Sequence, residues 1–475
     1  MKPINRHPSR SQGRRVRRPC ASERISSMAE LLFTFASYAT RMEGDLSPLK
    51  GAERLASVLH PYGVRITWLV SPASATAMKA RLTEWHEKFG DDISVCPDGM
   101  KRDHTGITPG PMVGTVEERI EEATYLRERI RQILPWTNAD IVHGPHQDHT
   151  SIQALERAGF LGLWGFCWEQ IEVDNITDRG CPWGFYYLDP ACRTAPNTGT
   201  RGIIGMEWTA RDLLKAFHSG NPCIYSTDVN DVARGGICSW REIGYLKGMF
   251  DNYYRNLRFN DLVLYQVHQE AHEMMPEFRC YSEEDCREAE EMLDELAAYV
   301  TGHTDVRTAT LSEAAAIYRE RYERTAPSFM LWYDTPTVPY NPDYARGTPR
   351  GPWPKTFLYY DTDCQMMFID GKFEPVCIRN YRERKAIGRY FAEPEVPRVR
   401  LRSHSRSPYG MDLHLTVESP KAMPFGITLW EDLGPYLLTE APGLLAHKLI
   451  SQEVLFLRYD VEKGTTELKI HFYRK

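Results

Sequence analysis

Two short stretches of the 475-residue sequence concentrate histidine and carboxylate side chains, which are groups that transfer protons or bind metal ions. The stretch DIVHGPHQDHTS, residues 140–151, holds three histidines and an aspartate within seven residues. The stretch DLVLYQVHQEAH, residues 261–272, ends with two histidines on either side of a glutamate. Each contains an apolar run that is typical of a buried strand, so both could deliver reactive side chains to the end of a sheet.

The first stretch is divided by its position between a strand and a helix. His143 ends the strand and His146 follows in the connecting turn, so we predict these two histidines as metal ligands. Asp148 and His149 lie where the next helix should begin, and a side-chain oxygen at that point would cap the helix. The stretch therefore predicts one wall of a pocket and not a complete site.

The second stretch predicts a catalytic pair, His268 and Glu270. It does not match the zinc-protease pattern HExxH, because its glutamate comes one residue late. If the strand continues, His268, Glu270 and His272 share one face, since side chains on a strand alternate with a period of two. A histidine beside a carboxylate can transfer protons or bind a metal, and we expect this pair to form the opposite wall of the pocket.

Two further carboxylates complete the predicted catalytic set. Glu169 follows two tryptophans in WGFCWEQ, and a carboxyl held against indole rings has a raised pKa that suits a general acid. Asp98 follows another strand-like run, in SVCPDG. A glycosidase needs two carboxyls roughly 5–10 Å apart, for which Asp98, Glu169 and Glu270 are the candidates.

Aromatic side chains cluster near the same predicted strand ends. Flat indole faces pack well against sugar rings, so we predict that four tryptophans bind substrate together with one glutamate that follows the first strand. These residues are Trp164, Trp168, Trp183, Trp208 and Glu43. The predicted partner of the protein is accordingly a carbohydrate.

Apolar strand-like runs and amphipathic helical stretches alternate over residues 31–322. Such repeated units are typical of a parallel sheet that is buried on both faces. About seven units favour a (β/α) barrel, irregular and with seven or eight strands, and no glycine-rich phosphate-binding motif follows any of them. In a barrel the loops after the strands converge on one face, which is where the candidate residues would meet.

The sequence changes character along its length, which predicts four segments. Residues 1–27 are rich in arginine and serine and are expected to be a disordered basic tail, and residues 28–325 are expected to form the catalytic barrel. Residues 326–355 are rich in proline and glycine, which predicts a linker. Residues 356–475 contain short strand-like runs separated by turn signals, which predicts a β-sandwich.

The composition argues against several functional classes. A formal net charge of −6 argues against a nucleic-acid or anionic-membrane surface, and no apolar run is long enough to span a bilayer. The eleven cysteines are scattered without a CxxC pair, which favours a reducing cytoplasm over a disulfide-held secreted fold. The N-terminal segment lacks the apolar core of a secretory signal, so we expect a cytoplasmic protein.

The barrel half resembles the polysaccharide deacetylase, or NodB-like, domain of the glycoside hydrolase/deacetylase superfamily, with a β-domain appended. The resemblance covers roughly residues 31–322 and lies in the order of its motifs. These are TVEERIEEATYLRERIRQILPWTNADIVHGP, ALERAGF, DLVLYQVHQ and VRTATLSEAAAIYRERY. The resemblance implies that His268 matches the family's catalytic-acid histidine and that HGP lies where the family's Arg-x-Pro segment contacts substrate.

Two motifs of that family are replaced in this chain. Where the family's first strand ends in Thr-Phe-Asp-Asp, supplying a base and a metal ligand, residues 34–37 read Thr-Phe-Ala-Ser. The His-x-x-x-His metal motif after the third strand is replaced by SVCPDGMKRDH, in which Asp98 and His104 are the available substitutes. A divalent metal such as zinc is therefore expected only if the site has been rebuilt.

Three functions follow from these observations, in descending order of preference. The first is a carbohydrate hydrolase that uses carboxylates and histidines at the mouth of the barrel. The second is a metal-dependent deacetylase or amidase whose rebuilt site uses His143, His146 and His268 with one carboxylate and an open position for water. The third is a carbohydrate-binding protein without activity, which the missing Asp-Asp pair would explain.

Overall fold

The structure, a computed structural model, describes most of the chain. The described residues are 29–40, 42, 46–96, 112, 114–143, 149–166, 184–190, 192–197, 199–212, 227–230, 243–277, 282–326, 329–332, 356–361, 366–370, 376–377, 381–386, 389–394, 398–430, 436–451 and 454–475. The predicted basic tail at residues 1–27 lies outside them.

Ten strands form one mostly parallel, curved sheet, which confirms the predicted α/β fold class. They are β1 (Glu30–Tyr38), β2 (Ile66–Val70), β3 (Asp92–Val95), β4 (Ile141–His143), β5 (Gly162–Phe166), β6 (Phe185–Asp189), β7 (Cys192–Pro196), β8 (Ile204–Glu207), β9 (Leu262–His268) and β10 (Val306–Ala309). Their order is β10-β1-β2-β3-β4-β5-β8-β6-β7, and β9 also pairs with β1. The Ala210 N–H, just beyond β8, donates to the Gln266 carbonyl in β9 at 2.7 Å, so the sheet curls back toward itself.

The described helices follow the strands in the predicted alternation. They are α1 (Leu49–Leu59), α2 (Pro72–Phe89), α3 (Val116–Ile133), α4 (His149–Arg157), α5 (Gly244–Arg255), α6 (Glu283–Thr301) and α7 (Leu311–Arg321). Capping boxes are present at the N-termini of α2, α3, α6 and α7. They satisfy backbone N–H groups of the first turn and so fix the residue at which each helix begins. In α1 the N-cap is Pro48, and the Ser47 hydroxyl accepts from the Leu49 N–H at 3.4 Å. No described helix is long and apolar enough to cross a membrane.

Strand side chains alternate between two buried faces of the sheet. The outer face, which includes Phe33 and Trp68, packs against α1 to α6, whereas the inner face, which includes Leu32 and Leu264, packs against α7. Both faces are apolar because helices cover both sides of a parallel sheet. The inner-face positions of β1 and β9 end at Tyr38 and His268, which directs these two side chains toward the same place.

A buried carboxylate joins α1, β2 and the start of β3. Asp91 is fully buried, and it accepts hydrogen bonds from the Ile66 N–H at 3.0 Å and the Trp68 Nε1–H at 2.8 Å. His60 Nε2 lies 3.1 Å from both of its carboxylate oxygens. Three partners around one buried carboxylate compensate for its lost hydration, so Asp91 fixes these elements relative to one another.

Gly51 of α1 lies against the 3₁₀ turn Ala271–Met274, which follows β9. A Cβ atom at position 51 would come within 1.7 Å of the Ala271 carbonyl oxygen. Replacing Gly51 with alanine should therefore lower the free energy of unfolding by about 1–3 kcal/mol, although alanine is the better helix former. Urea denaturation measures this, and Gly244→Ala at the start of α5, where a Cβ meets nothing within 4 Å, is the control that should not be destabilised. A stabilised Gly51→Ala variant would contradict the close packing.

The C-terminal region consists of antiparallel sheets in its described part. Its strands are β11 (Phe329–Trp332), β12 (Thr356–Asp361), β13 (Met366–Asp370), β14 (Val376–Cys377), β15 (Tyr381–Ala386), β16 (Arg389–Pro394), β17 (Arg398–Ser407), β18 (Gly410–Ser419), β19 (Met423–Trp430), β20 (Tyr436–Glu440), β21 (Leu444–Ser451), β22 (Val454–Val461) and β23 (Gly464–Arg474). The sheet orders are β11-β12-β13-β14, β15-β16, β17-β18-β23-β20 and β19-β22-β21. β11 lies within the predicted linker, 326–355, and pairs with β12. The sandwich arrangement and the exact domain boundaries stay predictions.

Candidate functional site

His268 is the last residue of β9, and its ring is fully buried among aromatic rings on the inner face. Its ring centroid lies 5.2 Å from that of Tyr38 and 5.1 Å from that of Trp208. The Trp164 centroid lies 6.1 Å away. Tyr38 ends β1, Trp164 lies in β5 and Trp208 follows β8, so the converging strands place these rings around one histidine.

Both ring nitrogens of His268 lack a hydrogen-bond partner among the described residues. Asp228 Oδ2 lies 3.8 Å from Nδ1, which is beyond hydrogen-bond distance. Burial lowers the pKa of His268 to about 3, a shift that Glu270 opposes and Arg211 reinforces. The imidazole is therefore neutral at neutral pH, and its buried lone pair is costly unless a bound molecule supplies a partner.

His143 lies beside this ring but is held by a tyrosine. It ends β4 and is fully buried, and its Nδ1 lies 3.1 Å from the Tyr38 hydroxyl, which also contacts Nε2. Its ring packs edge-on against Trp164, with 4.6 Å between centroids. Trp164 is fully buried and donates from Nε1 to Ser94 Oγ at 2.7 Å. The roles predicted for His143 as a metal ligand and for Trp164 in substrate binding stay predictions.

The chain turns immediately after His268, so the expectation that His268, Glu270 and His272 share one face of a strand is wrong. β9 ends at His268, and Glu270 is the N-cap of the 3₁₀ turn Ala271–Met274. The turn nevertheless brings His272 Nε2 to 2.6 Å from Glu270 Oε2. Glu273 lies in the same cluster, with ligand atoms of the three residues within 4.8 Å of one another.

A short segment at residues 227–230 connects His268 with that cluster. Asp228 faces His268, and its Oδ1 accepts from the Asn230 N–H at 3.0 Å. The Asn230 side-chain amide donates to Glu273 Oε2 at 3.4 Å. His268 and the Glu270–His272–Glu273 cluster therefore border one polar region at the carboxyl end of β9.

The zinc site that the sequence resemblance implies does not fit the first strand. The family's base and metal ligand would occupy positions 36 and 37, where the chain has Ala36 and Ser37. A methyl group cannot bind a cation, and the Ser37 hydroxyl is neutral, buried and without a hydrogen-bond partner among the described residues. Any metal in this protein must use other ligands.

Glu207, at the end of β8, has the raised pKa that the sequence led us to expect at Glu169. It is 3% exposed, and burial raises its pKa to about 8. Hydrogen bonds from the Gly184 backbone and the Tyr253 side chain act in the opposite direction and lower the pKa. The Tyr253 hydroxyl lies 3.5 Å from both carboxylate oxygens and accepts from the Arg211 N–H at 3.3 Å. This network anchors the segment that carries Trp208 beside His268.

The protonated state of Glu207 makes stability depend on pH. The folded chain holds a proton that the unfolded glutamate releases above its ordinary pKa of 4.5. The contribution of this proton to the free energy of unfolding is therefore lost as pH rises from 4.5 through about 8. We expect the free energy of unfolding to fall by up to about 1.4 kcal/mol per pH unit in that window, and Glu207→Gln to remove this slope. Urea denaturation at pH 5, 6, 7 and 8 measures it. Glu295→Gln, on the exposed side of α6, should leave the slope unchanged, and equal slopes in wild type and Glu207→Gln would contradict the assignment.

Several predicted site residues lie outside the described part of the chain and stay predictions. They are the catalytic candidates Asp98 and Glu169, the substrate-binding candidates Glu43, Trp168 and Trp183, and the metal candidate His146. The helix predicted to follow HGPHQDH begins at His149, as expected.

Sequence reasoning missed Tyr38, Asp228, Glu207 and Glu273. Glu207 had a usable signal, because MEWTA places a carboxyl beside an indole just as WEQ does. Glu273 directly follows the predicted cluster in sequence. Asp228 follows no strand-like run, so only the fold brings it to His268.

No protein-family model matches the chain, and no curated protein matches it. Solved structures similar to it include a proposed polysaccharide deacetylase from Mycobacterium smegmatis, with 11% identity, a TM-score of 0.38, and 68% of this chain and 99% of that chain covered. A 4-alpha-glucanotransferase from Thermococcus litoralis has 9% identity and a TM-score of 0.37, and the match covers 94% of this chain and 100% of that chain. The Puue allantoinase has 10% identity and a TM-score of 0.39, and the match covers 66% of this chain and 98% of that chain. All three TM-scores are below 0.5.

Proposed function

We propose that this chain is a hydrolase acting on a carbohydrate, with its site at the carboxyl ends of β1, β5, β8 and β9. The observation that carries the proposal is His268, a buried neutral imidazole whose two nitrogens have no hydrogen-bond partner among the described residues. Hydrolysis needs a group that takes a proton from water or delivers one to the leaving group, and histidine is the side chain most often used.

Asp228 acts as the positioning residue for this histidine. A carboxylate beside Nδ1 favours the tautomer with its proton on Nδ1, which leaves Nε2 to accept a proton from water. The present 3.8 Å separation shortens to a hydrogen bond when substrate closes the site, because catalytic hydrogen bonds are often long before substrate binds.

Trp208 supports a sugar as the substrate. Its ring lies 5.1 Å from His268, and its buried Nε1–H has no acceptor among the described residues. A sugar offers both an apolar ring face for the indole and hydroxyl oxygens for the N–H. The sequence resemblance to polysaccharide deacetylases implies the same substrate class, and Glu43, Trp168 and Trp183 complete the proposed binding surface.

A metal-dependent deacetylase or amidase is the second candidate. The cluster of Glu270, His272 and Glu273 beside His268 favours it, because one imidazole and two carboxylates can bind a divalent cation. In the first candidate, Glu270 acts with Asp98 or Glu169 as a catalytic carboxyl.

Product analysis tests the proposal and separates the two candidates. Purified protein is incubated with acetylated oligosaccharides and with unmodified polysaccharides, and both released acetate and new reducing ends are measured. New reducing ends indicate a glycosidase, and acetate without new reducing ends indicates a deacetylase. Absence of both products across the panel, with and without added zinc, would leave the third alternative, a binding protein, and overturn the proposal.

A further inference from the structure

Two carboxylates and one imidazole meet in the 3₁₀ turn that follows β9. Each of Glu270, His272 and Glu273 offers one ligand atom, and these atoms lie within 4.8 Å of one another. A four-coordinate zinc ion, with bonds of about 2.0–2.2 Å, holds its ligand atoms roughly 3.3–3.6 Å apart. Small rotations of these side chains are therefore enough to place all three atoms around one cation.

The burial of the three residues suits an ion that enters from solvent. His272 is 1% exposed and Glu273 is 5% exposed, whereas Glu270 is partly exposed. Two buried ligands exclude water from most of the coordination sphere, and the exposed side at Glu270 leaves an open position.

A second observation points to a ligand at this turn. His268 and Gln269 lead the chain from β9 into the cluster, and both are fully buried. Neither the two ring nitrogens of His268 nor the side-chain oxygen and nitrogen of Gln269 have a hydrogen-bond partner among the described residues. Four unsatisfied buried polar atoms next to the cluster are costly, and a hydrated cation or its bound substrate would supply their partners.

The turn is also rigidly supported. Gly51 of α1 approaches the Ala271 carbonyl so closely that a side chain would not fit, and the Asn230 amide donates to Glu273 Oε2 at 3.4 Å. A preformed ligand geometry strengthens metal binding, because less conformational entropy is lost when the ion arrives.

We propose that Glu270, His272 and Glu273 bind one Zn²⁺ ion at the carboxyl end of β9. An imidazole nitrogen with two carboxylate oxygens suits zinc better than magnesium, which prefers oxygen ligands alone. The role of the ion rests on the proposed function: as a Lewis acid beside His268, it polarises an oxygen of the substrate or of water. Its binding does not depend on that function.

Titration with zinc chloride alone tests the site. Isothermal titration calorimetry and elemental analysis of the full chain should give one Zn²⁺ per chain, with magnesium chloride binding at least tenfold more weakly. Glu270→Gln, His272→Ala and Glu273→Gln should each weaken zinc binding at least tenfold. Glu277→Gln, an exposed glutamate paired with Lys50, is the matched control and should bind zinc like the wild type.

Circular dichroism establishes that each variant is folded. If His272→Ala does not fold, Glu270→Gln decides the question, because its side chain is partly exposed. No zinc binding by the wild type, or unchanged affinity in the ligand variants, would overturn the site. Zinc binding without hydrolysis of any substrate would overturn the proposed function alone, and hydrolysis without zinc binding would overturn the metal site alone.

Discussion

Replacing His268 with glutamine is expected to lower kcat for carbohydrate hydrolysis by about 10²–10⁴-fold, the contribution typical of a general acid or base. Glutamine is polar and similar in size, but its amide cannot exchange a proton as an imidazole does. The His268 nitrogens make no hydrogen bond to the described residues, so the variant loses the ring packing against Tyr38 and Trp208 but no hydrogen bond to those residues. We therefore expect the rate to fall in a variant that remains folded, as initial rates and urea denaturation would measure.

His303→Gln is the matched control for this prediction. His303 is a partly buried histidine just before the amino end of β10, whereas the candidate site lies at the carboxyl ends of the strands. Its Nδ1 lies 2.9 Å from the Tyr299 carbonyl oxygen. It should retain the wild-type rate. A similar loss of rate in both variants would indicate a general effect on folding, and a wild-type rate in His268→Gln would remove His268 from the mechanism.

Replacing Asp91 with alanine should have the largest effect on stability, a loss of about 3–5 kcal/mol in the free energy of unfolding. The substitution removes the acceptor of the Ile66 N–H and the Trp68 Nε1–H and leaves His60 without its partner. All of these groups are buried, so water cannot replace the carboxylate without opening the packing of α1 against the sheet. Urea denaturation followed by tryptophan fluorescence measures the loss.

Asp294→Ala provides the control for Asp91. Asp294 is an exposed carboxylate on α6 that accepts from the Tyr62 hydroxyl at 2.8 Å, so its loss should cost less than about 0.5 kcal/mol. Asp91→Asn should fall between the two, because an amide keeps one acceptor oxygen. A loss at Asp91 no larger than that at Asp294 would show that the buried network contributes little.

The barrel-like half was predictable because its signals are local. Apolar runs mark β1, β2 and β9, and capping residues such as Thr115 and Ser282 mark where helices begin. The apolar runs reflect burial of both sheet faces, and the capping residues reflect the unpaired backbone groups at helix ends. Each pattern is determined by residues that are close together in the sequence.

The site was only partly predictable because it depends on contacts between distant segments. His268 was found, since a histidine at the end of an apolar run is visible in sequence. Its Asp228 neighbour lies 40 residues away and follows no run that the sequence marks as strand-like, and the turn after β9 cannot be told from a continued strand by alternation alone. The raised pKa at Glu207 depends on complete burial behind Tyr253, which sequence spacing does not indicate.

The pairing of β1 has a consequence for the order in which the protein can form. β1 is made before β9 and β10, yet Phe33 pairs with Tyr265 in β9 on one side and with Thr308 in β10 on the other. At a synthesis rate of about 5–20 residues per second, those partners leave the ribosome roughly 12–55 s after β1. During that interval both flanks of the apolar first strand at Phe33 are open to any other chain nearby. A nascent chain of this protein should therefore depend on a chaperone until β10 has emerged.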